Sequence, residues 1–314
     1  MKKIISIIII GILIGCSFSV QGLIYEKNTN KNMKGFSSVN LFRFIFVDGL
    51  LRSYQIHIPR EYQDDTSAPI VLILHGIPGA ARQAKFISKM NGKADEEGFI
   101  VVYPNGHINE QYFRSIISPN VWNEWVVHDD IDDGKFLCTL IEKLRMNYNI
   151  NSSRVHMCGI SGGASMTYKF GALYSDVVAS IASIAGTIGV IMNRITYMCS
   201  DPMGPLPVII FHGTDDELVP YEGGWCQGLM WKSVNESVTF WVEHNNCNPI
   251  PIIKPSETGN TIKETYENGT NGSEVVLFTV VNGGHEWFGS PLYPPCEISA
   301  TELIWDFFEN HPKQ

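Results

Sequence analysis

The sequence is poor in features that mark several common functional classes. It contains no C-x-x-C pair, and its nine histidines form no cluster at metal-ligand spacing, which argues against a zinc site. No basic stripe is visible and the formal net charge is −9, so nucleic acid and anionic membrane surfaces are unsuitable partners. No internal repeat or low-complexity linker divides the body, and a single globular α/β domain can reach this length.

The apolar run near the N terminus is too short to span a membrane. It extends from Ile4 to Ile14 behind two lysines, an arrangement typical of a signal segment, which we assign to residues 1–22. The run ends in a Leu-Ile-Gly-Cys sequence that resembles the lipobox of bacterial lipoproteins, so Cys16 is a candidate for lipidation. The alternative is cleavage nearby by an ordinary signal peptidase. Both predict an exported protein, either secreted or held at the cell envelope by a lipid, with no other membrane contact.

The remaining chain divides into two parts. Residues 23–40 are rich in Asn, Lys and Ser and predict a flexible tether, which leaves residues 41–314 as one catalytic domain. Export would permit disulfides among the six cysteines other than Cys16. Six cysteines allow fifteen complete pairings, and the sequence does not choose among them. Cys158 lies on an apolar, strand-like run, which favours a buried free thiol there.

Apolar strands alternate with helical patterns along this domain. Two runs around Asp48-Gly49, Leu41–Val47 and Leu51–Ile58, predict an antiparallel hairpin. Buried strands are predicted at Ile70–Leu74, Phe99–Tyr103, Val155–Cys158, Ile181–Ala185, Val208–Phe211 and Val275–Val281, and helices at Ala81–Glu97, Asp132–Tyr148 and Ile298–Asn310. This order predicts an α/β fold, a mostly parallel central sheet flanked by helices, with an N-terminal antiparallel hairpin. Ligands of such sheets collect at the carboxyl ends of the strands.

A glycine-flanked serine follows one of these strands. The segment reads Gly159-Ile160-Ser161-Gly162-Gly163, and a helical pattern comes directly after it. A strand that turns sharply into a helix at a serine leaves the hydroxyl exposed, and the glycines let the backbone turn without a Cβ clash. Ser161 is therefore the candidate nucleophile.

A serine hydroxyl needs a neighbouring base to attack near neutral pH, and histidine is the suitable residue type. His285 follows the strand-like run 275–281 in a glycine-rich loop. The third member should be a buried carboxylate that orients the imidazole, and Asp215 and Asp216 follow the preceding strand. The resulting chain order of Ser, Asp and His is that of α/β-hydrolases.

In these motifs and in the segments given below, the chain resembles a known family, the secreted feruloyl esterase and polyhydroxybutyrate depolymerase-like esterases of the α/β-hydrolase superfamily. The resemblance covers roughly residues 68–310. The matching segments include Leu74-His75-Gly76, the run from Gly98 to Gly106, Trp122-Asn123, Asp132-Asp133, Gly159 to Gly163, His212-Gly213-Thr214, Val219-Pro220-Tyr221 and Gly284-His285.

The resemblance implies Ser161 as nucleophile, His285 as base and Asp216, three residues before Val219-Pro220, as the orienting acid. It also implies an oxyanion hole made by the backbone N–H groups of Ile77 and Gly162.

The chain departs from the family pattern in four places. A cysteine usually stands at the position of Ile77, Asn, Ala or Gln at that of Gly162, and proline at that of Phe288. The cysteine that usually pairs with the equivalent of Cys247 has no match near residues 266–270.

Two tryptophans are candidates for the substrate pocket. Trp287 lies two residues after His285, and Trp122 lies in an irregular segment. An aromatic lining suits a hydroxycinnamoyl group and suits a 3-hydroxybutyrate oligomer nearly as well.

The sequence thus predicts an exported serine esterase that needs no metal or organic cofactor. We expect feruloyl or related esters of plant polysaccharide as its substrates, with poly(3-hydroxybutyrate) or other hydroxyalkanoate oligomers as the alternative. A non-catalytic surface binding protein on the same fold, or a peptidase, is the remote alternative.

Overall fold

The computed structural model describes residues 37–108, 120–123, 131–192 and 194–313. The predicted signal segment, with Cys16, and most of the predicted tether therefore lie outside the described residues. The first strand begins at Val39, two residues before the predicted start at Leu41. Within the described ranges, no helix has the length and apolar character to cross a membrane.

The predicted N-terminal hairpin is confirmed. Strands β1 (Val39–Val47) and β2 (Leu50–Ile58) pair in antiparallel register with Val47 opposite Leu50. Asp48 and Gly49 form the turn with φ of 50° and 77°, values that Gly adopts readily and Asp tolerates. β1 is an edge strand, and Lys143 Nζ donates to the carbonyl of Phe44 at 3.2 Å, which occupies an acceptor that would otherwise face an open edge.

These two strands lead into a ten-stranded sheet in the order β1-β2-β4-β3-β7-β8-β11-β16-β15-β14. The further strands are β3 (Ala68–Leu74), β4 (Ile100–Pro104), β7 (Ile150–Ile160), β8 (Ser180–Ile184), β11 (Val208–Gly213), β14 (Ile252–Pro255), β15 (Thr261–Tyr266) and β16 (Val275–Val280). The six central strands, from β4 to β16, are parallel, and antiparallel pairs close both sides. The predicted mostly parallel sheet is confirmed.

Two smaller sheets were not predicted. β5 (His107–Ile108) pairs with β6 (Asn120–Val121). β9 (Gly189–Met192), β10 (Ile195–Met198), β12 (Gly224–Cys226) and β13 (Leu229–Trp231) form a four-stranded antiparallel sheet in the order β10-β9-β13-β12. These strands have two to four residues each, too few for a period-two pattern to stand out.

Six helices accompany the main sheet in the described residues. They are α1 (Ala81–Ser88), α2 (Met90–Glu97), α3 (Asp133–Asn147), α4 (Gly162–Leu173), α5 (Val234–Asn245) and α6 (Ala300–Asn310). The single helix predicted over 81–97 is wrong, because Lys89 adopts φ of 53° and divides it. The helix predicted from Asp132 is present as α3, and Asp132 caps it, since its side chain accepts from the N–H of Lys135 at 2.9 Å.

The helices cover both faces of the sheet, because alternate side chains of β3 pack into two different helix-lined cores. Ile70, Leu72 and Leu74 belong to the core that contains residues of α3, α4 and α5. Val71 and Ile73 belong to the core that contains residues of α1, α2 and α6. All five side chains are fully buried, so the sequence of β3 is a continuous apolar run and does not alternate between apolar and polar residues.

All six cysteines in the described residues are free thiols. Cys158 is fully buried on β7, as predicted, and burial raises the pKa of its thiol. The neutral thiol therefore acts there as a small apolar side chain.

Candidate active site

Ser161 lies at the junction of β7 and α4 in a backbone conformation that L-residues rarely adopt. Its φ and ψ are 59° and −127°, and α4 begins at Gly162. The close packing of the turn requires the neighbouring glycines: a Cβ on Gly159 would lie 2.3 Å from the Gly163 oxygen, and one on Gly163 would lie 2.4 Å from the His75 oxygen. The chain therefore stores strain at the predicted nucleophile, as at other functional turns.

Backbone hydrogen bonds join the loops that follow the central strands. The bonds run from Ser161 N to Ile184 O at 2.9 Å, from Ala185 N to Phe211 O at 2.9 Å and from Thr214 N to Val280 O at 3.0 Å. They connect the carboxyl ends of β7, β8, β11 and β16 in one row. The residues predicted as nucleophile, acid and base follow β7, β11 and β16 and therefore occupy the same edge of the sheet.

The structure brings the predicted acid and base into direct contact. His285 Nδ1 lies 2.8 Å from Asp216 Oδ2. Asp216 is buried, whereas the neighbouring Asp215 is exposed and accepts a bond from Thr214. The geometry therefore distinguishes the two adjacent carboxylates, which the residue pattern left open before the family resemblance was considered.

Asp216 is surrounded by donors. Its Oδ1 accepts from the N–H groups of Leu218 and Val219 at 2.9 and 2.8 Å, and its Oδ2 faces His285 and His212 Nε2, the latter at 3.3 Å. Burial would raise the pKa of Asp216, but the hydrogen bonds from His212 and His285, the charge of His285 and the Val219 N–H hold it below its ordinary value. Asp216 is therefore ionised at neutral pH.

An ionised Asp216 fixes the tautomer of His285. The carboxylate can only accept, so Nδ1 of His285 carries the proton and Nε2 keeps a lone pair. No hydrogen bond joins Ser161 Oγ to His285, both of which are described residues. Such contacts are often long in the absence of substrate and tighten in the reactive complex.

His212 is a site residue that the sequence analysis did not assign. Its Nε2 lies 2.8 Å from the Val219 carbonyl as well as near Asp216, so it is a donor that helps to hold the carboxylate. The His212-Gly213-Thr214 match to the family was the available signal.

The two residues predicted for the oxyanion hole are in contact with each other. A Cβ built on Gly162 would lie 2.4 Å from Ile77 Cδ1, so the Ile77 side chain lies against the first residue of α4. The preceding residue, Gly76, faces the serine: its Cβ would lie 3.4 Å from Ser161 Cβ and 3.9 Å from Oγ. The loop after β3 therefore borders the serine turn.

His75 holds this loop from inside the protein. Gly106 N–H donates to His75 Nε2 at 3.0 Å, so Nδ1 carries the proton and donates to the Gly76 carbonyl at 2.7 Å. Burial lowers the pKa of His75 to about 4, with a partial offset from the bond to Gly76. The residue is neutral at physiological pH, which suits a structural role.

The predicted pocket tryptophans are both buried. The Trp122 indole N–H donates to the His75 carbonyl at 2.9 Å, and the two rings lie 4.8 Å apart. Trp287 is fully buried and donates to Thr301 Oγ1 at 3.0 Å, inside the core beside α6. Trp122 therefore supports the loop of His75, and Trp287 packs in the core instead of presenting its ring to solvent.

A buried ion pair anchors the same region. Arg52 Nη2 lies 2.5 Å from Asp133 Oδ1, and Asn123 N–H donates to Asp133 Oδ2 at 2.7 Å. Asp133 lies in the first turn of α3, where its negative charge favours the helix start, and it also has these two partners. It ties β2 to the residue next to Trp122.

Among the described residues no group of three His, Cys, Asp or Glu side chains is arranged to hold a metal ion.

Comparison with known proteins finds that this chain is similar to esterases. A family model described as esterase PHB depolymerase matches residues 52–201. Feruloyl esterase B from Piromyces equi is 27% identical over 239 residues, which cover 74% of this chain and 42% of that protein. A probable feruloyl esterase C from Aspergillus niger is 26% identical over 257 residues, 82% of this chain and 83% of that protein.

Among solved structures, acetyl xylan esterase from Aspergillus awamori matches with a TM-score of 0.58 and 14% identity, over 86% of this chain and 99% of that one. At this identity the match concerns the fold. The parallel sheet, the serine turn and the solved structure show an α/β-hydrolase fold, and the family model and the relatives show that the chain is similar to the esterase family of feruloyl esterases and polyhydroxybutyrate depolymerases.

Proposed function

We propose that this protein is a serine carboxylic ester hydrolase that uses Ser161, His285 and Asp216. The observation that carries the proposal is the 2.8 Å contact of His285 Nδ1 with Asp216 Oδ2, at the sheet edge that also holds the Ser161 turn. An ionised carboxylate on Nδ1 orients the imidazole and stabilises the imidazolium that forms when Nε2 takes a proton.

The reaction proceeds in two halves. Ser161 Oγ attacks the ester carbonyl carbon while His285 Nε2 takes its proton, and the resulting oxyanion accepts hydrogen bonds from the N–H groups of Ile77 and Gly162. The carbon–oxygen bond to the alcohol then breaks, and the imidazolium of His285 protonates the leaving oxygen. Water, deprotonated by His285, attacks the acyl-serine, and return of the proton to Ser161 releases the acid.

Its substrates are acyl esters of plant polysaccharide, with the feruloyl group as the favoured acid. The feruloyl esterases among the relatives support this choice. The negative net charge supports a neutral, sugar-linked alcohol over an acidic polymer.

A second candidate is hydrolysis of hydroxyalkanoate oligomers, which the name of the matching family model favours. The two substrates share the acyl-serine chemistry and differ in the alcohol and acyl groups. Assays of the purified protein on methyl ferulate, acetylated xylan and hydroxybutyrate oligomers, side by side, distinguish them.

The test of the mechanism is Ser161→Ala. This variant should fold normally and lose hydrolysis of p-nitrophenyl and feruloyl esters, and it should no longer react with a fluorophosphonate probe that labels the wild-type protein. Unchanged turnover would refute Ser161 as nucleophile. A wild-type protein that neither turns over esters nor reacts with the probe would support the binding-protein alternative.

Export is a separate proposal that rests on residues outside the described part of the chain. Residues 1–22 act as a signal segment, and Cys16 carries a lipid after cleavage before it. Labelling of cells that express the full chain with a palmitate analogue should mark the protein, and Cys16→Ser should abolish the label. Labelling that persists in Cys16→Ser would contradict the lipid anchor at this residue.

A further inference from the structure

The four-stranded small sheet (β9, β10, β12 and β13) is attached to both sides of the candidate active site. On one side the segment that leads into β9 contacts the serine turn: Ser165 Oγ donates to the Thr187 carbonyl at 3.1 Å, and a Cβ on Gly186 would lie 3.0 Å from the Ser161 oxygen. On the other side Cys226 Sγ contacts the Glu217 carbonyl at 3.0 Å, and Glu217 directly follows Asp216. The small sheet is therefore fixed to the serine turn and to the loop of the acid.

One face of the small sheet carries a row of three apolar side chains and a threonine. Trp225 lies opposite Met230, Met230 opposite Ile191 and Ile191 opposite Thr196. Residues directly opposite each other in a sheet point to the same face, so these four side chains form one row across all four strands. Three strand spacings give the row a length of about 14 Å.

The exposure of the row differs from that of the opposite face. Trp225 is 72% exposed, far more than the other described tryptophans, and Met230 is 38% exposed. On the opposite face Val190 is fully buried, and Cys226 contacts the loop after Asp216. The row therefore forms the outer surface of a sheet whose inner face packs on the protein.

The surroundings of Trp225 limit what it can bind. Trp225 is the chain neighbour of Cys226, and Asp216 that of Glu217, so the Cys226–Glu217 contact places the Cα atoms of Trp225 and Asp216 within about 16 Å of each other. Asp215, Glu217 and Glu222 are exposed on the same loop. Carboxylates accept hydrogen bonds from hydroxyl groups and repel anionic chains, whereas a polyester offers acceptor oxygens only.

We propose that this row, from Trp225 to Thr196, is the docking surface for the neutral polysaccharide chain that carries the ester. The inference rests on the proposed esterase function and names the part of the substrate beyond the scissile bond. The indole face of Trp225 packs on the apolar face of a pyranose ring, and the carboxylates of the neighbouring loop accept bonds from sugar hydroxyls.

The kinetic test compares a polymer with a small ester, using the full-length protein. Trp225→Ala should lower kcat/KM on feruloylated arabinoxylan about 10-fold through a higher KM, and leave both constants on methyl ferulate unchanged. Trp225→Phe should restore part of the loss. Met146→Ala is the matched control, because Met146 is 79% exposed in the last turn of α3, away from the small sheet, and should change neither assay.

A binding test separates this proposal from the esterase assignment. Arabinoxylan cast in a native gel should retard the Ser161→Ala protein, and adding Trp225→Ala should abolish the retardation. If the wild type hydrolyses no ester but Trp225-dependent retardation remains, the proposed function fails and the docking surface stands. Equal losses on polymer and methyl ferulate, unchanged polymer kinetics, or a loss of adsorption only to polyhydroxybutyrate powder would each overturn the proposal.

Discussion

The side chain of Ile77 fills the space that a side chain at position 162 would need. A Cβ on Gly162 would lie 2.4 Å from Ile77 Cδ1 and 2.5 Å from Cγ1, distances well below van der Waals contact. Both positions depart from the family pattern. The departures are therefore coupled: a larger residue at 77 requires glycine at 162.

This coupling predicts the result of Gly162→Ala. The added methyl group should displace Ile77 and the loop that carries its N–H, and kcat on p-nitrophenyl acetate should fall about 10- to 100-fold. Ile77→Ala in the same chain removes Cδ1 and Cγ1 and leaves only the residue 77 Cβ, at 3.2 Å, so it should restore most of the activity. Wild-type turnover in Gly162→Ala, or a double variant no better than the single one, would contradict the coupling.

The contact between Asp216 and His285 predicts different results for the two adjacent acids. Asp216→Asn should lower kcat about 10³- to 10⁴-fold with little change in KM, because an amide no longer imposes the tautomer with a proton on Nδ1. Asp215→Asn should remain within about two-fold of the wild type, since the Asp215 side chain is exposed and accepts a hydrogen bond from Thr214 instead of from His285. Steady-state kinetics on p-nitrophenyl acetate measure both, and a larger loss in Asp215→Asn would reverse the assignment.

The buried position of Trp287 predicts an effect on stability. Trp287→Ala should lower the free energy of unfolding by about 3–5 kcal/mol, because it empties a core site and removes the partner of Thr301. Trp225→Ala, at an exposed position, should change it by less than about 0.5 kcal/mol. Urea denaturation measures both. A Trp287→Ala protein of normal stability with a raised KM for methyl ferulate would instead indicate that Trp287 lines the substrate pocket.

Two buried histidines predict how stability depends on pH. Burial lowers the pKa of His75 to about 4 and that of His156 to about 3. The unfolded chain binds these protons below about pH 6.5, so the stabilisation is complete above that value and is lost as the pH falls towards the native pKa values.

The urea midpoint should therefore decrease between pH 7.5 and pH 5, a window above the ordinary carboxylate range. His156→Asn removes one of the two groups and should make this decrease shallower. The same slope in wild type and variant would exclude His156 as a source of the pH dependence.

Much of the fold follows from local patterns in the chain. The six parallel strands, β3, β4, β7, β8, β11 and β16, contain buried apolar runs, and the hairpin has an Asp-Gly turn. Asp132 caps a helix. Each of these features was predictable from residues that are neighbours in sequence. β14 was not, because all four of its residues are exposed and carry no alternating pattern. The break at Lys89 is a single residue with positive φ, which composition does not reveal.

The sequence by itself determined the glycine-flanked serine turn, the alternation of strands and helices, and the order of the three catalytic candidates, because each depends on residues close together along the chain. The family resemblance already implied Asp216 as the acid, and the tertiary structure shows its contact with His285. Only the tertiary structure decided that Trp287 lies in the core and that Trp225 faces solvent. These outcomes depend on which distant segments pack together. Likewise, the Ile77 side chain fills the space beside Gly162 only after the loop that follows β3 meets the start of α4.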